Sequence, residues 1–295
     1  MFRRSNAIRA CLFGGCLFSA GISAHARPTN YFLMGPSANA TDYGDPYSHY
    51  WAWNGAYLSG FVGALVDDDN FGHLAEFGYQ RPTLSTSFNA LNKAFLTRAD
   101  GIVSPWWNDA AISSYEVSLA RYHFLHGGDL LLFDDDANHD AIAADLGVPT
   151  VSSAYANAFV TGTTFPFDGP FGTVTSVHTA GIVGALSPTD IATHHGHVLA
   201  VDGSGKPIIA YWDRDEYAPG AGKMIIVTDI DMVSSYGGAD FSPGGRNDNG
   251  IFGLNLVAGL LSGGNACNPA DVNGDGILNL DDIAYFADAF LNGCP

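Results

Sequence analysis

The sequence predicts an α/β protein, a mostly parallel sheet covered by helices on both faces, followed by a small C-terminal calcium-loop and helix module. Three observations lead there. Short apolar runs alternate with helix-length segments between residues 30 and 262, the order that builds a parallel sheet with both faces covered. Glycine pairs stand where helices hand over to strands, as at Gly127-Gly128. Residues 271–282 read DVNGDGILNLDD, which places oxygen-bearing residues at calcium-loop spacing.

In chain order, residues 30–34 (NYFLM) read as a short strand and 52–65 as a helix diluted by glycine. Residues 100–104 (DGIVS) read as a buried strand stopped by Pro105. Residues 113–126 form an amphipathic helix in which Tyr115, Leu119, Tyr122 and Leu125 recur at helical spacing, and Gly127-Gly128 closes it. Residues 129–133 (DLLLF) follow as a fully buried strand. A helix is expected over 139–146 with Asn138 as N-cap. Beyond residue 150, short strands at 173–177, 182–185, 197–201, 207–212 and 224–228 are separated by Gly and Pro turns. The apolar run 250–261 closes the body as a helix.

Composition and termini set the compartment. Arg3, Arg4 and Arg9 precede an uncharged apolar run at 10–22, and Ala24-His25-Ala26 fits a cleavage site. Residues 1–26 therefore read as a secretory signal, too short in its apolar run to span a bilayer. A lipoprotein reading at Cys16, after Gly14-Gly15, is the alternative. Loss of residues 1–26 leaves nine basic against 30 acidic residues, moving the formal charge from −18 to −21. Such a surface excludes nucleic acid and anionic lipid as partners. Only Glu76, Glu116 and Glu216 are glutamates. The abundant aspartates suit turns, helix caps, calcium sites and a solvated acidic surface.

The calcium loop supplies Asp271, Asn273, Asp275, the Ile277 carbonyl, Asn279 and Asp282 at positions 1, 3, 5, 7, 9 and 12, with Gly276 at the turn. Leu278 is the apolar contact, and Ile283, Phe286 and Phe290 form one stripe of an exiting helix. The dull alternative is an Asp/Asn/Gly turn. Cys267 and Cys294 flank the loop and are the cysteines left after residue 26. In an exported protein they read as one disulfide, stabilising by about 3–4 kcal/mol in the chain-entropy model. Residues 264–295 are too few for a self-sufficient core, so metal and disulfide substitute for one. The expected organisation is signal 1–26, body 27–263 and tail 264–295, joined through Gly263-Gly264-Asn265.

The tail resembles one dockerin repeat, D-x-N-x-D-G-x-x-N-x-x-D followed by a helix, with Asp at position 12. As a single repeat flanked by cysteines, it resembles the dockerin-like tails of secreted planctomycete-type bacterial proteins. That resemblance implies anchoring or docking outside the cell to a protein partner or a surface, with cohesin as one candidate partner. In the body, the runs 126–132 (HGGDLLL), 221–229 (AGKMIIVTD) and the closing segment 249–261 resemble class I glutamine amidotransferase-like domains. This implies a three-layer, flavodoxin-like architecture. Members with that activity use a Cys nucleophile activated by His. Residues 27–263 contain no cysteine and no G-x-S-x-G elbow, so the resemblance implies a non-catalytic member.

Two further clusters stand out. Asp134-Asp135-Asp136 with His139 follows the strand 129–133, and Asp229 and Asp231 follow the strand 224–228. Ligand sites in open α/β sheets lie beyond the carboxyl ends of strands. Asp134, Asp136, His139, Asp229 and Asp231 would thus form a second metal or catalytic site if the strands are neighbours. Otherwise they cap helices and satisfy loop amides. His194, His195 and His197, with His178, offer imidazoles but no full zinc set. Asp67-Asp68-Asp69 reads as a solvated loop, and Trp106-Trp107 as packing or a sugar platform. The leading functional expectation is a secreted, non-enzymatic protein displayed through its calcium-binding tail. A carbohydrate-active hydrolase resting on the acids is the alternative. A protein-binding assembly subunit is the third, marked by an exposed patch from Trp51, Trp53, Trp106 and Trp107.

Overall fold

The computed structural model describes residues 31–34, 56–72, 82–85, 91–96, 99–242 and 244–261. The expected signal 1–26, Trp51 and Trp53 lie outside the described residues. So do the calcium loop (Asp271, Asn273, Asp275, Ile277, Asn279, Asp282) and Cys267 and Cys294. Eleven strands occur among the described residues: β1 Tyr31–Met34, β2 Pro82–Ser85, β3 Gly101–Pro105, β4 Asp129–Phe133, β5 Thr150–Tyr155, β6 Phe159–Val160, β7 Val177–His178, β8 Ile182–Leu186, β9 His197–Val201, β10 Pro207–Trp212 and β11 Met224–Val227. The helices are α1 Ser59–Val66, α2 Lys93–Leu96, α3 Ser114–Leu125, α4 Ala141–Asp145, α5 Pro188–Thr193 and α6 Asp248–Leu261.

The fold is mixed α/β. Seven strands form one sheet in the order β2-β1-β3-β4-β11-β10-β9. Pairing is parallel from β2 to β11 and antiparallel at β11-β10-β9. The expected mostly parallel sheet is corrected at that edge for a local reason. Between β9 and β10, Asp202 and Lys206 close a tight turn (Asp202 N to Lys206 O, 2.9 Å), and a connection this short permits only an antiparallel return. The expected strand 182–185 exists as β8 but pairs with β5 in a separate two-stranded sheet. Only Val177 of the expected strand 173–177 is in a strand, the two-residue β7.

Alternation along the strands splits the core in two. Ile102, Leu130, Leu132, Met224 and Ile226 face one side, where α3 contributes Val117, Ala120 and Phe124 and α4 contributes Ile142 and Ala143. Val103, Leu131, Phe133, Ile225 and Val227 face the other, under Phe61 and Leu65 of α1 and Phe252, Leu256 and Leu260 of α6. Each such side chain, fully buried, contributes about 1.5–3 kcal/mol. The central strands β3, β4 and β11 are buried at every position, as strands covered on both faces must be.

α3 begins at a capping box: the Ser113 hydroxyl accepts from Glu116 N, and the Glu116 carboxylate accepts from Ser113 N. It ends in a Schellman turn, Gly128 N to His123 O at 2.9 Å, with Gly127 at φ 94°. Its predicted apolar stripe holds at Leu119, which is buried, and at Leu125, which packs against the core, but is corrected at Tyr115 and Tyr122, which are exposed; Val117, Ala120 and Phe124 complete the face towards the sheet. α4 is shorter than the helix expected over 139–146 and does not use Asn138 as its cap. The Asn138 amide instead donates to Asp136, and the Ala141 amide is taken by Asp109 Oδ1 at 2.9 Å.

α6 is buried almost all round, yet carries Asn249 and Asn255. Asn255 donates to the carbonyls of Pro166 and Gly172, both at 3.0 Å, and accepts from Phe171 N at 3.1 Å. Asn249 holds His178 by both its amide and its carbonyl, each at 2.9 Å. The two amides thereby peg the irregular segment between β6 and β7 to the core. Among the described residues, no helix is long and apolar enough to cross a membrane.

Candidate functional site

Parallel pairing of β4 with β11, with Phe133 beside Val227, makes the residues that follow them emerge side by side. Asp134 N donates to Val227 O at 2.9 Å, and Asp135 Oδ1 accepts from Ile230 N at 2.9 Å. Asp229 opens a 3-10 turn, Ile230–Met232. Its Oδ1 accepts from Asp231 N at 2.8 Å and its Oδ2 from Ala180 N at 3.1 Å. Asp231 Oδ1 accepts from the Ser234 hydroxyl. Asp134, Asp135, Asp140, Asp229 and Asp231 are all at most 5 % exposed.

Burial dominates their electrostatics, because it penalises the charged form. Asp134 is pushed well above the usual carboxylate range by burial, then by the charges of Asp140, Asp135 and Asp109. Asp135 rises through burial, with Asp231 and Asp136 adding repulsion against the Ile230 amide. Asp229 rises through burial and the charges of Asp135 and Asp231, opposed by its two amide donors. Elsewhere, Arg214 pairs with Asp129, Arg121 with Asp145, and Lys223 approaches Asp213.

The sequence-predicted acids therefore meet at one edge but divide into separate groups. Asp135, Asp229 and Asp231 share one electrostatic cluster, and Asp134 faces Asp140 most strongly. Asp136 and His139 turn to each other, Oδ1 to Nδ1 at 2.9 Å. Trp106, at φ 51°, stacks on that imidazole with ring centroids 4.5 Å apart. Among the described residues, no three His, Cys, Asp or Glu side chains form a ready metal-ligand group. Sequence reasoning missed Asp109, Asp140 and Thr150. The spacing D-x-x-x-D from Asp136 to Asp140 was visible, but Thr150 belongs to a strand without an apolar run.

The other predicted candidates have partners of their own. His197 pairs with Glu216 at 2.9 Å, His194 stacks on Tyr217 at 4.7 Å, and His178 bonds Asn157 and the Gly237 carbonyl. Asp67 Oδ1 accepts from Asp69 N in the turn after α1. Trp107 is buried in the core. A cavity of about 90 Å³ lies between β5, β8 and the β9–β10 hairpin, lined by Ser152, Ala154, Val183, Lys206 and Ile208. None of Asp134, Asp136, His139, Asp229 and Asp231 lines it.

Asparagine at position 135 retains an acceptor for Ile230 N and removes a buried charge. Asp135→Asn is expected to raise stability by about 1–3 kcal/mol at pH 8 in chelator, measured by urea unfolding. The gain should disappear near pH 4. A raised folded-state pKa gives the wild type stability that is present below the unfolded value and is lost as pH rises through the folded one.

No family model and no curated protein matches the chain. Among solved structures, the "mmIFT52 N-terminal domain" matches at 12% identity, covering 80% of this chain and 99% of that one, with a TM-score of 0.44. A beta-galactosidase from Bacillus circulans sp. alkalophilus matches at 11% identity over 80% of this chain, with a TM-score of 0.45, and this chain covers 31% of its length. The cytoplasmic protein STM1381 from Salmonella typhimurium LT2 matches at 12% identity over 79% of this chain and 99% of that one, at 0.43. Likeness at this level assigns no activity to the chain.

Proposed function

We propose that the chain is an exported, non-enzymatic α/β protein, held outside the cell or at its surface through a calcium-binding, dockerin-like tail. The observation that carries the proposal is the twelve-residue run 271–282, in which every ligand position bears a suitable oxygen. Cys267 and Cys294 close the same segment and stabilise it as a disulfide. In this reading the body is a three-layer, flavodoxin-like domain similar to class I glutamine amidotransferases but without their nucleophile. Its parallel strands β2 to β11, with core on both faces, support that architecture.

The hydrolase alternative requires two carboxylates facing each other across a substrate cleft. The acids at the sheet edge are instead buried, and Asp135 and Asp229 bind backbone amides. Such carboxylates order loops. Docking is tested by incubating the mature protein with the envelope fraction of the organism that encodes it. Wild type should sediment with the envelope in 1 mM calcium and be released by chelator, and an Asp271→Ala/Asp282→Ala variant should stay in solution. Equal partitioning of the two proteins in calcium would refute docking through the tail.

A further inference from the structure

The edge of the sheet holds two buried oxygens without a well-formed hydrogen bond among the described residues. Asp134 Oδ2 and Thr150 Oγ1 are both buried and without a hydrogen-bond partner, in residues 2 % and 5 % exposed. Buried polar atoms are nearly always paired, so two orphans in one place require an explanation. The two residues are neighbours across Gly184: the position that a Cβ on Gly184 would occupy lies 2.9 Å from Thr150 Cγ2 and 3.0 Å from the Asp134 backbone carbonyl oxygen. Asp140 joins them: its Oδ2 accepts from Thr150 N at 2.5 Å, its carboxylate lies beside the Thr150 hydroxyl without a well-aligned bond to it, and it is the strongest charge acting on Asp134. Asp109 adds a third negative charge from the loop after β3, its Oδ1 already held by Ala141 N.

We propose that Asp134, Asp140 and Thr150 hold a hard divalent cation, calcium in class, at the carboxyl edge of the sheet. The donors are two carboxylates and a hydroxyl, without nitrogen or sulfur, which selects a hard cation over zinc or copper. They come from a strand end, a helix start and the first residue of β5, an irregular set that suits calcium's flexible coordination, with water completing the shell. A cation here gives both orphaned oxygens a partner and offsets the mutual repulsion of Asp134 and Asp140. This site is independent of the tail loop.

The test uses the mature chain carrying Asp271→Ala/Asp282→Ala, so that the tail contributes no binding. After chelator treatment, calcium titration by calorimetry should show one ion per chain. Saturating calcium should raise the melting temperature by roughly 5–10 °C. Adding Asp134→Asn or Thr150→Val should weaken calcium binding at least tenfold. Thr150→Val also separates binding from packing. A purely structural hydroxyl predicts that valine leaves the calcium response intact; the cation site predicts that valine removes most of the calcium-induced shift. Should Asp134→Asn fail to fold, the Thr150→Val titration decides. No heat and no thermal shift in the tail-disabled protein, or unchanged affinity in Thr150→Val, overturns the proposal.

Discussion

Asn255→Leu is expected to destabilise the protein by about 3 kcal/mol, although it places an apolar residue of similar size in an apolar helix. Asn255 is fully buried and its amide forms three hydrogen bonds, to Pro166 O, Gly172 O and Phe171 N. Leucine leaves all three backbone groups unpaired, at about 1–3 kcal/mol each when buried. Phe171 and Gly172 are only half-buried, so water recovers part of that cost. The fit is tight from the other side as well: a Cβ on Gly169 would lie 2.5 Å from Asn255 Oδ1. Urea unfolding measures the loss, and limited proteolysis should cut first within 161–176. A change below 1 kcal/mol would mean that Asn255 does not peg this segment.

The second large effect is pH-dependent. Burial pushes His123 down to about 4, against weaker opposing contributions from Asp129 and the Asp100 backbone, and its Nε2 has no hydrogen-bond partner among the described residues. Gly128 leaves it room: a Cβ there would lie 2.0 Å from that nitrogen. The folded-state pKa lies below the unfolded value near 6.5. Stability from His123 is therefore fully present above about pH 6.5 and is lost as pH falls through 4. At about 1.36 kcal/mol per pH unit, the loss approaches 3 kcal/mol. The buried aspartates work in the opposite direction, so a comparison isolates the histidine. Relative to wild type, His123→Gln should gain about 3 kcal/mol between pH 7 and pH 4 in urea unfolding. Parallel stability curves for the two proteins would contradict a neutral His123.

What the sequence discloses follows from what its residues bury. The run DLLLF at 129–133 is legible as a covered strand because each position is apolar or, at Asp129, ion-paired with Arg214. The Gly127-Gly128 handover is legible because a positive φ there favours glycine. α3 was legible as a helix but not in its orientation. Two overlapping apolar stripes exist, and the one with Tyr115 and Tyr122 keeps its phenols in solvent. β5 (TVSSAY) escapes pattern reading because most of its residues are not buried. At the candidate site, the acids that follow each strand were legible, but the adjacency of β4 and β11 was an open condition that the parallel pairing of the two strands meets. Burial was not legible, since a carboxylate held by a backbone amide 95 residues away, as Asp135 is by Ile230, has no sequence signature. The meeting of Asp140 with Thr150 was invisible for the same reason: it depends on where the loop after β4 folds back.

The central claim is that the segment 264–295 binds calcium through its loop. Calorimetric titration of the mature chain, wild type beside Asp271→Ala/Asp282→Ala, tests it most directly. The account predicts a calcium-binding component in the wild type that the double variant lacks. Superimposable isotherms from the two proteins would contradict it.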